Sequence, residues 1–223
     1  MELKGKTINF LGDSITEGHC VKDKENNRFD NVIKNRCGLA KVNNYGVGGT
    51  RIAHQITPSE IAKHDMNFCE RCFSMDKEAD IIVVFGGTND YGHGDAPLGK
   101  PTHTMRTTFC GSLNYLCTTI KSDYPNAICV FMTPTHREGD DKISQNQNKP
   151  ACADRRFLYE YVNMIKEIVP KYGFYVLDLY NELGIDPKKP EDREKYTADG
   201  LHFNDAGHIA IAEKLIEFLQ NIN

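Results

Sequence analysis

Short apolar runs alternate along the chain with stretches of helical periodicity. Five runs stand out: "TINFLG" at 7–12, "KVNNYG" at 41–46, "DIIVVFGG" at 80–87, "AICVFMTP" at 127–134 and "FYVLDL" at 174–179. The third and fourth are almost continuously apolar and β-branched, the pattern of strands buried on both faces. Between and after the runs, Phe109, Leu113, Leu116 and Ile120 share one helical face ahead of Pro125. Leu158, Val162, Ile165 and Val169 share another, which ends near Pro170 and Gly173. A last helix is predicted over about 205–220, capped by Asn204 or Asp205, with Ile209, Ala212, Ile216 and Leu219 turned inward. Strand and helix in alternation predict an α/β domain with a parallel sheet covered on both faces. In such sheets ligands gather beyond the carboxyl ends of the strands, so the loops after the five runs are where chemistry is expected.

Bulk properties narrow the field. With 223 residues, one domain over 1–223 is expected, long enough for a sizeable core. Net charge is -4 and the basic residues are scattered, which excludes the basic stripe of a nucleic-acid binder. No stretch approaches the roughly 18 apolar residues of a membrane span. The start "MELKGKTINF" has no apolar signal region, so a cytoplasmic location is the expectation unless a signal peptide has been removed. Of eight cysteines, Cys117 and Cys129 fall in apolar patterns and read as buried small hydrophobes. "CERC" at 69–72 is a lone C-x-x-C with His54 and His64 upstream. A zinc site needs a second matched pair, so a reduced Cys69/Cys72 pair is the expectation there.

The loops after the runs are polar and glycine-rich. "GDSITEG" follows the first, "GVGGTR" the second and "GGTNDYG" the third; "ADGLHFNDAGH" precedes the last helix. A serine hydroxyl needs a base within hydrogen-bond reach, most often histidine, and the histidine needs a partner that fixes its tautomer. Ser14 is the candidate nucleophile, and "DGLH" offers Asp199 and His202 on one short loop, close enough to point together. Acyl transfer also needs donors for an oxyanion. The backbone N–H of Ser14 is free if Ser14 opens a helix; Gly49 can offer a second N–H and Asn89 a side-chain amide. Asp13 is expected to organise the turn. Taken alone, each piece has a bland reading: a helix cap, a tight bend, an Asx turn, a surface imidazole. "GVGGTR" fails both the P-loop and the dinucleotide fingerprints, since Arg51 stands where a third glycine would be.

These four blocks, in this order, resemble the SGNH (or GDSL) hydrolases. "GDSITEG" resembles the family's first block, "NYGVGGTR" its second, "GGTND" its third and "DGLHFNDAGH" its last. The resemblance implies Ser14 as nucleophile, Asp199 and His202 as acid and base, and Ser14, Gly49 and Asn89 as the oxyanion hole. It also implies a flavodoxin-like three-layer α/β/α fold with a five-stranded parallel sheet, and no metal or organic cofactor. Thr16 stands two past the serine, which separates this pattern from the G-x-S-x-G of α/β-hydrolases.

Substrate preference must come from outside the blocks. Two polar excursions, residues 91–108 and 135–156, leave the carboxyl end of the sheet and offer no large apolar wall. A short acyl group, acetyl above all, on a polar alcohol such as a sugar is the expected ester. Arg51, Asp90, Tyr91 and His136 are the candidate substrate contacts, although an arginine such as Arg51 often pairs with a nearby acid instead. Lysophospholipase, thioesterase and acyltransferase readings share the same triad and stay open. A carbohydrate-binding domain without activity, or a flavodoxin-like nucleotide binder, is disfavoured by the intact triad and by acidic Asp13 and Glu17.

Overall fold

The computed structural model describes residues 1–144 and 156–222. Its centre is a five-stranded sheet: β1 Thr7–Gly12, β2 Lys41–Gly46, β3 Ile81–Phe85, β4 Ile128–Met132 and β5 Tyr175–Leu177. The order is β2-β1-β3-β4-β5 and every pairing is parallel. Each run predicted from sequence holds a strand. β1 and β2 match the predicted bounds, and β5 is cut to three residues. Chain order reverses on either side of β1, so the switch point lies between the ends of β1 and β3. Register keeps those ends level, with Gly12 opposite both Gly46 and Phe85.

Alternation along the strands divides the core into two layers. Ile8 and Phe10 of β1, Ile81 and Val83 of β3 and Val130 of β4 face one way, against Phe29, Ile33, Ile211 and Leu215. Leu11, Ile82, Val84 and Phe131 face the other way, against Phe109, Leu113, Leu116, Tyr161 and Ile165. Fully burying one such side chain contributes roughly 1.5–3 kcal/mol, and both layers are built of them. The helices Phe29–Cys37 and Asp205–Asn221 cover the first face; Phe109–Asp123 and Leu158–Ile168 cover the second. Phe109, Leu113, Leu116 and Ile120 are all buried, as their spacing predicts.

The terminal helix begins as expected, with the Asn204 side chain accepting from the Gly207 amide. Its inward face differs from the expectation. His208, Ile211, Ala212, Leu215 and Leu219 are buried, whereas Ile209 and Ile216 are only partly covered. The stripe is rotated because a buried histidine, not an isoleucine, heads the i, i+3, i+4, i+7 series. Between β2 and β3 the chain makes only short turns, Ala62–Asp65, Phe68–Arg71 and Cys72–Ser74. Among the described residues no helix is long and apolar enough to cross a membrane.

Candidate active site

The turn after β1 is the first wall of the site. Ser14 opens a four-residue helix, Ser14–Glu17, whose cap Asp13 accepts from the Ile15 amide at 3.0 Å. Gly18, left-handed at φ 80°, ends it. As first helical residue Ser14 has no intrahelical acceptor for its own N–H. Asp13 is 1% exposed. Burial raises its carboxyl to about 6, even though the Ile15 amide, His202 and Arg71 oppose the shift.

The second wall is the loop after β2. Gly48 donates its amide to Glu17 Oε2 at 3.0 Å, which ties this loop to the serine helix. Gly46 must be glycine for the same approach: a Cβ there would meet the Glu17 nitrogen at 2.2 Å. Gly49 sits at φ +79°, with the His64 ring occupying the space a side chain would need. Asn89, in the short helix Thr88–Gly92 after β3, donates to the Thr50 carbonyl at 3.0 Å. Its Oδ1 lies 3.1 Å from His93 Nε2. The other nitrogen of His93 faces the Arg51 guanidinium, at 2.7 Å from Nη2 and 3.2 Å from Nε. Arginine only donates, so Nδ1 accepts and the ring proton sits on Nε2, pointing at Asn89. One amide hydrogen of Asn89 serves Thr50 and the second is left for the cavity. Arg51 is itself held by Ser59 and, at 3.5 Å, by Asp65.

The third wall is the 199–202 loop. A bridge between Thr197 and Phe203 closes it, with the Ala198 amide bonded to the His202 carbonyl. The Glu138 amide, from the loop after β4, donates to the Gly200 carbonyl at 2.8 Å and braces the tip. Asp199 Oδ1 accepts from the Leu201 and His202 amides, and Oδ2 lies 2.7 Å from His202 Nδ1. Partial burial works to raise the Asp199 carboxyl. The hydrogen bonds from the His202 ring and from the two amides outweigh it and hold the group down at about 2. His202 Nε2 lies 3.1 Å from Ser14 Oγ. A cavity of about 310 Å³ is lined by Ser14, Gly49, Asn89 and His202 together, with Leu201 its only apolar side chain among the described residues.

The other candidates fall elsewhere. Asp90 is buried and its two oxygens accept the Ile52 and Ala53 amides, so it shapes the loop after β2 instead of facing substrate. Tyr91 is buried too, its hydroxyl bonded to the Gly139 and Lys142 carbonyls. His136 pairs with Asp140 at 2.5 Å, packs on Tyr180 and does not line the serine cavity. Arg51 is buried within its His93–Ser59–Asp65 network, although it also lines a second cavity. That cavity, of about 540 Å³, adjoins the first through His64 and His93. Of the excursion 135–156, residues 145–155 lie outside the described residues.

Several positioning residues left no mark in the motif pattern. Glu17 links two blocks, and His93 orients Asn89. Buried Arg71 donates to the carbonyls of Tyr45 and Gly12, at the ends of β2 and β1, and to Thr50 Oγ1. It lies inside "CERC", whose thiols are core groups: Cys69 donates to Ile52 and Ser112 carbonyls, and Cys72 to the Cys69 carbonyl. Burial pushes the Cys72 thiol up to about 11 and Cys69 higher still, away from the thiolate a metal needs.

A profile of the GDSL-like lipase/acylhydrolase family matches residues 10–210, and the chain belongs to that family. Among solved structures, a protein from Lactobacillus plantarum is 28% identical, with TM-score 0.82 and 99% of each chain covered. The acetylxylan esterase Axe2 from Geobacillus stearothermophilus is 17% identical, with TM-score 0.63, covering 100% of this chain and 98% of its own. A possible lipase from Chitinophaga pinensis is 23% identical at TM-score 0.68, over 96% and 98% of the two chains. These likenesses extend the α/β fold to relatives of low identity. No functionally curated protein matches the chain in sequence.

Proposed function

We propose that this chain is a serine esterase that removes a short acyl group, acetyl first, from a polar alcohol such as a sugar. The observation that carries the reading is the unbroken line Ser14 Oγ, His202 Nε2, His202 Nδ1, Asp199 Oδ2, at 3.1 and 2.7 Å. In this reading His202 takes the Ser14 proton as Oγ attacks the ester carbonyl, and the carbonyl oxygen becomes an oxyanion. The amides of Ser14 and Gly49 and the free hydrogen of Asn89 stabilise that charge. Collapse expels the alcohol, which takes the proton from His202, and leaves an acyl-serine. Water, deprotonated by His202, attacks next, and the carboxylic acid and Ser14 are released. Asp199 keeps the Nδ1 proton in place and stabilises the imidazolium without being protonated itself, which its low pKa favours.

The size and lining of the two cavities support the substrate class. The serine cavity, about 310 Å³, has room for a small acyl group, and among the described residues Leu201 is the one aliphatic side chain lining it, whereas a long lipid chain needs an extended row of such side chains. The adjoining cavity carries Gln55, Thr57, Ser59, Glu60 and Asp95, suited to hydroxyl groups of an alcohol moiety. The structural likeness to an acetylxylan esterase supports the same class by analogy. A panel of p-nitrophenyl esters tests it. The expected result is kcat/KM falling from acetyl to octanoyl, together with acetate release from acetylated oligosaccharides. A higher value for octanoyl overturns the short-acyl reading.

A further inference from the structure

His202 has two neighbours that the proposed reaction does not use. His19, Cys20 and His202 bring one donor atom each to within 4.8 Å of one another, a metal-ligating set among the described residues. The His19 ring stands edge-on to His202, with centroids 4.6 Å apart. Cys20 is a free, half-buried thiol. Consecutive side chains in a helix or strand diverge. Cys20 lies at φ +70°, the only non-glycine positive φ among the described residues, and this left-handed turn lets positions 19 and 20 share a side. The turn is anchored: the Val21 amide bonds the Gly18 carbonyl, and the Lys22 amide bonds Asp205 Oδ1 at 2.7 Å. Opposite it, the Thr197–Phe203 bridge fixes the loop that carries His202.

We propose that Cys20, His19 and His202 form a binding site for Zn²⁺ or a similar soft divalent ion, and that an ion held there switches off the esterase. One cysteine sulfur, which gives up its proton when it takes the ion, and two imidazoles are the donor set zinc prefers, and three protein ligands leave a fourth position to water. A carboxylate already holds the His202 ring through Nδ1, as carboxylates do behind zinc-bound histidines. Both ring nitrogens of His202 are in service, one to Asp199 and one to Ser14. An ion taken on either nitrogen displaces one of those bonds, so the imidazole cannot be ligand and base together. The inhibitory half of this proposal rests on the esterase reading; the binding half does not.

The test uses the full chain and zinc chloride. Calorimetry is expected to give one site of micromolar Kd, and Co²⁺ to give thiolate-to-metal absorption. Hydrolysis of p-nitrophenyl acetate is expected to fall over the same zinc range and to return with EDTA. Cys20→Ser is expected to keep the zinc-free rate, to lose the cobalt absorption, and to weaken binding and inhibition at least about tenfold. Cys20→Gly, which suits the positive φ, serves as a second variant. Absence of calorimetric binding, or equal binding and inhibition in wild type and both Cys20 variants, overturns the proposal. If no ester is turned over, the esterase reading fails, while calorimetry and cobalt absorption still decide whether the ion binds.

Discussion

Two regions that meet at the Ser14–His202 hydrogen bond are built in opposite ways. The turn after β1 is interior: Ser14 is 8% exposed, and its helix is held by the Asp13 cap, the Glu17–Gly48 bond and Arg71 gathering the strand ends. The 199–202 loop is a surface hairpin. Its Asp199 side chain is 50% exposed, and the loop is fixed by one bridge, a brace from Glu138 and its own backbone bonds. Ser14 is thus immobilised by the fold, whereas His202 is immobilised by the Asp199 carboxylate. In the proposed reaction Ser14 needs an exact backbone position because its amide also stabilises the oxyanion. An imidazole needs only the right tautomer and tilt, and a neighbouring carboxylate supplies both.

The largest expected effects test whether the two regions form one chemical unit. Ser14→Ala and His202→Ala should each lower kcat by about 10⁴–10⁶, and the double variant should be no slower than either, as interdependent triad members behave. Additive losses in p-nitrophenyl acetate hydrolysis would separate the regions. Next comes Asp199→Asn, which keeps the loop's shape but permits the wrong His202 tautomer. It should cost about 10³–10⁴ in kcat with little change in melting temperature. A loss below tenfold would mean that the fold, not the carboxylate, holds the base.

A smaller effect is expected on the oxyanion side. Asn89→Ala should cost about 10²-fold in kcat. His93→Ala should cost about tenfold in kcat at constant KM, because it frees the Asn89 amide to turn, and nothing more once Asn89 is already alanine. An unchanged His93→Ala beside a slow Asn89→Ala would leave the oxyanion assignment standing and remove the positioning role.

The smallest effect contrasts two histidines six residues apart. His202 works at the surface of the hairpin, whereas His208 is fully buried and stacked on Phe29, its Nδ1 accepting the Phe29 amide. Burial lowers the His208 pKa from 6.5 to about 4. Between those values the unfolded chain binds a proton there that the folded chain does not, so stability falls as pH drops from 6.5 to 4. At full titration this shift is worth roughly 3 kcal/mol. Asp13 runs the other way: its folded pKa of about 6 lies above the ordinary 3.8 of an aspartate, so its contribution improves as pH falls through that window. His208→Gln keeps an acceptor for Phe29 and should flatten the acid side of the urea-midpoint profile. An unchanged pH slope would place the acid sensitivity elsewhere.

Much of this was legible in the chain. β1 and β2 matched their apolar runs, and three of the four polar blocks fell at strand ends because a parallel sheet sends successive loops to one edge, the fourth lying between the helices Pro190–Tyr196 and Asp205–Asn221. The Asp199 to His202 spacing was readable because a three-residue loop leaves the two side chains little choice of partner. The surroundings of Asp90 and Tyr91 were not readable. Asp90 and Tyr91 look like pocket residues in the string "TNDYG", yet they satisfy buried amides and carbonyls contributed by distant segments.

Local pattern therefore determined the class of fold and singled out Ser14, Asp199 and His202 as candidates, since periodicity and short-range spacing survive in one dimension. Tertiary structure alone decided that His93 is oriented by Arg51, that Arg71 outranks the cysteines beside it, which face of the last helix is buried, and that His19 and Cys20 lie against His202. Each of these depends on a contact between residues far apart in the chain or on a backbone turn that composition does not announce. A hydrogen bond forms where the folded backbone brings donor and acceptor together, whatever their separation in sequence.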